Sequence, residues 1–170
     1  MNDDVPDIPW AAGLFDGEGT VLIRRRLKPG QGAKNPMYYV EVSIATTTGH
    51  VAKLFRAWFG GYVSRRHRAQ YPTRRIIYRW RSAAQKAVAF LRLVQPHLRI
   101  KHHEVEIALR LQRLVDQQKH RPNPHPNGQH GGGNRFTITE LAEREALYQL
   151  LLHTRRSAGE RLGVIAELAS

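Results

Sequence analysis

The stretch Ala11-Ala12-Gly13-Leu14-Phe15-Asp16-Gly17-Glu18-Gly19 decides the fold of this chain of 170 residues. Its small residues and its two glycines four positions apart predict a helix with one face that a second backbone can approach closely. Gly17 and Gly19 are expected to end this helix near Asp16. The Glu18 carboxylate then lies at the helix end. In a chain of formal charge +13, that position favours binding of a metal ion and a phosphate.

The balance of charges indicates a polyanionic partner. The chain contains 27 Lys and Arg residues but only 14 Asp and Glu residues. Each phosphate that such a surface neutralises releases a counterion and adds affinity, so we predict a nucleic acid as the partner. The alternatives are a basic protein without that partner and a ribosome-associated protein. The chain has no cysteine, which excludes disulfides and thiolate metal sites.

Length and hydropathy indicate one domain, or one domain with a small C-terminal extension. Hydrophobic residues make up 41% of the chain, which is enough for a core at this length. No stretch approaches the roughly 20 apolar residues that span a bilayer. The N-terminal residues are acidic and begin no apolar run. We therefore expect no signal peptide, no membrane partner and a cytoplasmic, intracellular location.

The periodicity of the apolar residues predicts helices and strands in a definite order. Asp7 is expected to cap the first helix, with Pro9 in its first turn. We predict strands over 20–26 and 37–46, a helix over 49–59, a hairpin over 62–68 and 74–81, and helices over 83–94 and 101–118. This order defines an α+β protein whose sheet has one apolar face and one basic face.

Composition divides the chain into three parts. Residues 1–118 form the predicted core domain, residues 119–136 a loop rich in Pro, Gly and His, and residues 137–170 a C-terminal helical segment that packs on the core. The histidines of the loop lack regular ligand spacing, so we interpret the loop as a linker rather than a metal site. Thr137 or Thr139 is expected to cap the last helix.

The nine residues quoted above resemble the signature motif of the LAGLIDADG homing endonucleases. The runs GGYVSRR, RRIIYRWRS and PHLRIKHHE fall where that family has its second hairpin and the helices that follow, and TITELAERE resembles the tail of many members. The resemblance covers about residues 9–152. It implies the LAGLIDADG homing-endonuclease fold: an αββαββα core, C-terminal helices and a mixed or antiparallel four-stranded, saddle-shaped sheet that binds DNA.

The resemblance also implies a function. The expected activity is that of a site-specific double-stranded DNA homing endonuclease, which hydrolyses phosphodiester bonds at a long pseudo-palindromic target and leaves staggered ends. The expected cofactor is Mg²⁺ or another divalent cation such as Mn²⁺, with no small-molecule cofactor. The alternative is a non-cleaving DNA-binding regulator of the same fold or an intron RNA maturase. A general RNA-binding protein is a further alternative, against which the lack of stacking aromatics on the arginine-rich strands counts.

Three residues are expected to carry the chemistry. Glu18 matches the metal-binding acid of the family motif, the alternative being an ordinary solvated acid. Lys101 matches the active-site lysine, which can stabilise charge on the phosphate, although a lysine at the start of a helix is most often an ordinary surface residue. Where the family often has Gln or another polar residue at the end of the second strand, this chain has Thr46 and Thr47, and one of these two is expected to hold a water more weakly.

The single motif copy predicts a homodimer, because a helix that packs on its own copy forms a two-fold interface. The predicted interface residues are Ala12, Gly13, Asp16 and Gly17, and Asp16 is also expected to cap or brace helix ends rather than bind metal. A two-fold dimer reads a palindromic or nearly palindromic DNA site. The alternative is a glycine-rich helix end packed in the core of a monomer.

Strand alternation predicts which side chains read DNA if the sheet lies in the major groove, as the resemblance implies. Arginine forks bind guanine bidentately, whereas other arginines contact phosphate and set the register. The alternative is a solvated charged face. The predicted DNA-binding residues are Leu22, Arg24, Arg26, Tyr39, Glu41, Ser43, Ser64, Arg66, Arg68, Arg75, Ile77 and Arg79.

Overall fold

The computed structural model describes residues 5–27, 35–66, 75–119 and 137–168. The elements follow the predicted α+β order, which is thereby confirmed. They are α1 (Ile8–Glu18), β1 (Gly19–Arg26), β2 (Met37–Thr46), α2 (Gly49–Phe59), β3 (Tyr62–Arg66), β4 (Ile77–Ala83), α3 (Ala84–Val94), a short 3₁₀ turn (Gln95–His97), α4 (His102–Lys119) and α5 (Ile138–Leu168). In the described ranges, no helix combines the length and the apolar character that crossing a membrane requires.

Helix α1 begins as predicted and ends two residues later than predicted. Asp7 Oδ1 accepts the N–H of Trp10 at 3.0 Å, which confirms the predicted cap. Gly17 continues the helix, and Gly19 ends it by donating its N–H to the Phe15 carbonyl. A Cβ at Gly19 would overlap both this carbonyl and the Phe15 ring, so only glycine fits where the motif ends.

The four strands form one sheet in the order β1-β2-β4-β3. Strand β4 is antiparallel to both β2 and β3. Ile44 of β2 lies opposite Trp80 of β4, and both side chains are buried. Ser64 of β3 lies opposite Arg79 on the other face of the same strands. β4 begins at Ile77 instead of the predicted residue 74.

The chain forms two compact units. The first consists of the described parts of 1–22 and 40–105, and the second of those of 23–39 and 106–170. The division runs through β1, β2 and α4, each of which has residues in both units. The predicted linker 119–136 lies outside the described residues apart from Lys119, so the three-part division stays a prediction.

Aromatic packing forms the core of the first unit. The buried Trp80 ring lies 5.2 Å from the Phe55 ring and 5.1 Å from the Phe90 ring, measured between centroids. Phe15 of α1 packs edge-on against Phe90 at 5.0 Å. Trp80 Nε1 donates to the Gly60 carbonyl at 2.7 Å, which satisfies its polar group. This core fixes the end of α1 against α3.

In the second unit, α5 packs against α4. Thr137 Oγ1 accepts the N–H of Glu140, whose carboxylate accepts the N–H of Thr137, so the predicted cap is a complete capping box. Arg144 is only 2% exposed and donates to the Leu114 carbonyl of α4 at 3.3 Å. Burial lowers the pKa of Arg144, although the charge of Glu140 opposes this. Helix α5 thus begins at a defined residue and contacts the second half of α4.

Candidate functional site

Asp16 joins the end of α1 to the segment that precedes α4. Asp16 Oδ2 accepts the N–H groups of Arg99 at 2.6 Å and Ile100 at 3.1 Å, and Oδ1 accepts the N–H of Lys101 at 3.0 Å. The side chain is only 8% exposed. One carboxylate thus satisfies three backbone donors of the segment that leads into α4. This confirms the expectation that Asp16 braces helix ends.

The environment of Asp16 keeps its carboxylate charged. Burial raises its pKa, but the backbone hydrogen bonds from Arg99, Lys101 and Ile100 and the charge of Lys101 outweigh that effect. The pKa of Asp16 is therefore held below its ordinary value of 3.8. Hydrogen bonds to the charged form stabilise that form, and here they come from a segment fixed by the fold.

Lys101 is tied to the same helix end. Its Nζ donates to the backbone carbonyl of Asp16, and its own carbonyl accepts the N–H of Val105 at 3.0 Å in the first turn of α4. The side chain is partly exposed. The ammonium group therefore lies beside the last turn of α1, two residues before Glu18.

Glu18 is the last residue of α1, and its side chain is exposed. The helix dipole places partial negative charge at a helix C-terminus, so a carboxylate is electrostatically disfavoured there. A bound cation would offset both the charge of the Glu18 carboxylate and the partial negative charge of the helix end. A carboxylate oxygen is also the ligand type that hard divalent ions such as Mg²⁺ prefer. Within the subunit, the position of Glu18 thus fits a cation ligand better than a structural role.

Thr46 ends β2 and has a local structural contact. Its Oγ1 accepts the N–H of Thr48 at 3.1 Å in the turn that leads into α2. In the strand it lies opposite Tyr78, in phase with the buried Val42 and Ile44. The hydroxyl therefore belongs to the face opposite that of the predicted DNA-binding residues. Its role in holding a water stays a prediction.

The structure separates the four predicted interface residues into two pairs. Gly13 and Gly17 are exposed, and apart from the adjacent helix backbone no heavy atom of the described residues lies within 4 Å of a Cβ built on either of them. Ala12 is fully buried and Asp16 nearly so. Their side chains face the interior of the subunit, and the place of these two residues at a dimer interface stays a prediction.

On β2, β3 and β4, the basic face of the sheet is built as predicted. Ser64 lies opposite Arg79, and Arg66 lies opposite Ile77, so these four side chains share one face. Of the remaining predicted residues of the first unit, Arg75 is exposed, and Leu22, Glu41 and Ser43 are partly exposed. Arg68 lies outside the described residues.

In the second unit, β1 and β2 show the same alternation. Ile23 and Tyr38 are buried, whereas Arg24 and Arg26 are exposed and Tyr39 is partly exposed. Successive side chains of a strand point to opposite faces, so these predicted residues lie opposite the core. Contact with DNA stays a prediction for all of them.

The list of predicted DNA-binding residues leaves out Arg81. It lies opposite Ser43 and Tyr62, on the face of Arg79, and its guanidinium carbon is 4.9 Å from the centroid of the Tyr62 ring. A cation over a ring face is held in a defined orientation. Strand alternation contained this signal, because Arg81 is two residues from Arg79.

Solved structures of LAGLIDADG homing endonucleases share this fold. The homing endonuclease I-CvuI, solved in complex with its target in the presence of calcium, is 14% identical, with a TM-score of 0.63 over 86% of this chain and 80% of that chain. The homing endonuclease I-TnaI is 16% identical, with a TM-score of 0.61 over 90% of this chain and 98% of that chain. The LAGLIDADG homing endonuclease I-SmaMI, solved bound to cleaved DNA, is 14% identical, with a TM-score of 0.58 over 84% of this chain and 43% of that chain.

These similarities establish the class of protein to which the fold belongs. The chain has the LAGLIDADG homing-endonuclease fold, as the nine-residue motif implies. No protein-family model matches the chain, and no curated protein is significantly similar to it. The likeness that the comparisons show therefore lies in the architecture.

Proposed function

We propose that the chain is a site-specific double-stranded DNA endonuclease of the homing type. It acts as a homodimer, requires a divalent cation and cleaves a long pseudo-palindromic target with staggered ends. The observation that carries this proposal is the end of α1, where the exposed Glu18 carboxylate lies two residues from the carbonyl that binds the Lys101 ammonium. An acid and a cation at one fixed helix end are the groups that phosphodiester hydrolysis requires.

DNA as the substrate is supported by the fold and by the charge. I-CvuI was solved with its target and I-SmaMI with cleaved DNA, and both share the architecture of this chain. The formal charge of +13 provides affinity for phosphates. The arginines on the face opposite the core, among them Arg66 and Arg79, provide forks for guanine edges.

Glu18 is the proposed ligand of the divalent cation. Mg²⁺ is the expected ion, because it is bound through one or two carboxylates together with substrate phosphate oxygens. When bound, such an ion lowers the pKa of a water and neutralises charge on the phosphate. Each subunit contributes one Glu18 carboxylate, so a complete site for two strands requires two copies of the chain.

Lys101 is proposed to stabilise the negative charge that develops on the phosphate. Its Nζ is held at the Asp16 carbonyl, and Asp16 in turn fixes the backbone of Lys101. A charge that is positioned before the reaction needs no reorganisation during it, which is the source of most electrostatic catalysis. Asp16 is a positioning residue in this scheme, and it does not contact the reacting atoms.

The homodimer is supported by the two exposed glycines. Glycine in a helix interior costs about 1 kcal/mol relative to alanine, and Gly13 and Gly17 have open space where a side chain would lie. Among the described residues, no contact within the subunit requires glycine at either position, so we propose close approach of a second backbone as the reason for both glycines. This chain also spans less than half of I-SmaMI, which a second copy would complete.

Sequencing of cleaved DNA tests the proposal directly. A pool of randomised duplexes is incubated with the protein and Mg²⁺, and new DNA ends are mapped. We expect paired, staggered ends at one pseudo-palindromic sequence, and none in the presence of EDTA. Selective binding without cleavage in any divalent cation would contradict the endonuclease proposal. It would favour the second candidate function, a non-cleaving regulator. This candidate is supported by Thr46, whose hydroxyl accepts the N–H of Thr48 within its own turn.

A further inference from the structure

Three consecutive arginines end β1, and the side chain of the middle one lies on the other face of the strand from those of its neighbours. All three are exposed, but Arg24 and Arg26 lie on the face opposite the core, whereas Arg25 is in phase with the buried Ile23. Arg25 Nε lies 3.1 Å from Glu145 Oε2 of α5. Arg25 therefore points away from the predicted DNA-binding face and is paired with a carboxylate of the C-terminal helix.

Tyr38 of β2 completes the contact between α5 and the two strands. Its hydroxyl donates to Glu145 Oε2 and accepts Arg25 Nε at 3.3 Å, and the residue is only 4% exposed. The Tyr38 ring lies 6.3 Å from that of Tyr148, and Gln149 Nε2 donates to Glu145 Oε1 at 2.8 Å. A single carboxylate thus contacts β1 and β2 and is itself held by its own helix.

The hydrogen bonds keep Glu145 charged. The bond from Tyr38 lowers the pKa of Glu145 most, followed by that from Gln149, while burial opposes them and the charge of Arg25 adds to them. Burial, together with the hydrogen bond to Glu145, raises the pKa of Tyr38, so its hydroxyl remains a donor. Charge-assisted bonds of this kind are stronger than bonds between neutral groups.

We propose that Glu145 is a positioning residue for DNA recognition. Its contacts with Arg25 and Tyr38 fix the back of β1 and β2, and thereby orient Arg24 and Arg26 on the opposite face. Bidentate recognition of a base depends on this orientation, since the supporting contacts decide whether a side chain is held in its productive geometry. The ion pair with Glu145 also keeps the Arg25 guanidinium from binding DNA phosphates. This inference rests on the proposed binding of DNA.

Binding-site selection from a randomised duplex pool tests the inference. The base pairs read by β1 are first defined as those whose preference is lost in Arg24→Ala. Glu145→Ala is expected to reduce discrimination at these same base pairs about tenfold, with other positions unchanged. Tyr38→Phe removes only a hydroxyl and should give a smaller loss at the same positions. It also serves as the test if Glu145→Ala does not fold.

Glu143→Ala is the matched control, because it removes the same charge from an exposed position of α5. It should leave every base preference unchanged. The inference is overturned if Glu145→Ala folds and keeps its preference at the base pairs defined by Arg24→Ala, or if Glu143→Ala loses as much. A loss of thermal stability without a change of preference would mean that Glu145 is structural only. A wild-type protein that selects no sequence would instead reject the proposed function.

Discussion

Asp16 and Lys101 contact each other in two directions. The Asp16 carboxylate accepts the backbone N–H of Lys101 at 3.0 Å, and the Lys101 ammonium donates to the backbone carbonyl of Asp16. The two residues are 85 positions apart in the sequence. The pair fixes the proposed catalytic lysine at the end of the motif helix. The first acid of the motif thus has a positioning role and the second, Glu18, remains exposed.

Asp16→Asn should destabilise the protein and remove part of its acid sensitivity. The depressed pKa of Asp16 means that its stabilising contribution is fully present above about pH 4 and is lost as the pH falls below 3.8. Removing the charge from these hydrogen bonds should cost about 2 kcal/mol near neutral pH. Urea unfolding from pH 2 to pH 7 measures both effects. An unchanged pH dependence in Asp16→Asn would show that another carboxylate is responsible.

Gly13→Ala should stabilise the isolated subunit and weaken the dimer. The open space at Gly13 accepts a Cβ, and alanine is better than glycine in a helix by about 1 kcal/mol. At a close helix pair the same methyl group would separate the two backbones. Analytical ultracentrifugation gives the dimer dissociation constant, and thermal unfolding at low concentration gives the subunit stability. Unchanged dimerisation would remove the proposed reason for the glycine.

Gly19→Ala, unlike Gly13→Ala, should destabilise the isolated subunit. Its Cβ would overlap the Phe15 carbonyl, which is backbone and cannot move aside, and also the Phe15 ring. We expect a loss of about 1–3 kcal/mol in the stability of the subunit itself. Chemical unfolding of the monomeric form measures this loss. The pair of substitutions distinguishes a glycine required inside the subunit from one required between subunits.

Arg24 and Arg25 should differ in the salt dependence of DNA binding. The logarithm of the DNA-binding constant falls as the logarithm of the salt concentration rises. Loss of one phosphate contact makes this negative slope shallower by about 1, which is the expectation for Arg24→Ala. Arg25 is paired with Glu145, so Arg25→Ala should leave this slope unchanged while it lowers the melting temperature. Titrations at several salt concentrations measure the slopes. Equal reductions in the two variants would show that both arginines reach phosphate.

The local features of the fold could be predicted from the sequence. The residues from Asp7 to Trp10 predict the start of α1 and its Asp7 cap, and the β-branched and aromatic residues of 37–46 predict β2 at its observed bounds. These signals depend on neighbours a few positions apart. The pattern predicts too early an end for α1 because Gly17 is typical of a helix end, whereas of the glycines in the motif it is Gly19 that is sterically required.

The long-range contacts could not be predicted. Asp16 binds backbone groups 83 to 85 positions away, and Tyr38 binds Glu145 at a separation of 107. No periodicity links such residues, because their proximity depends on how the elements pack. The burial of Ala12 and Asp16 within the subunit follows from the same packing.

The proposal that Glu18 holds the catalytic cation is tested most directly by Glu18→Gln. The variant keeps the size of the side chain but replaces the charged ligand oxygen, so Mg²⁺-dependent cleavage of the selected site should be abolished. DNA binding should remain, or improve slightly, because a negative charge near phosphate is removed. Glu143→Gln on the exposed side of α5 is the control and should cleave normally. Cleavage by Glu18→Gln at the wild-type rate would contradict the account.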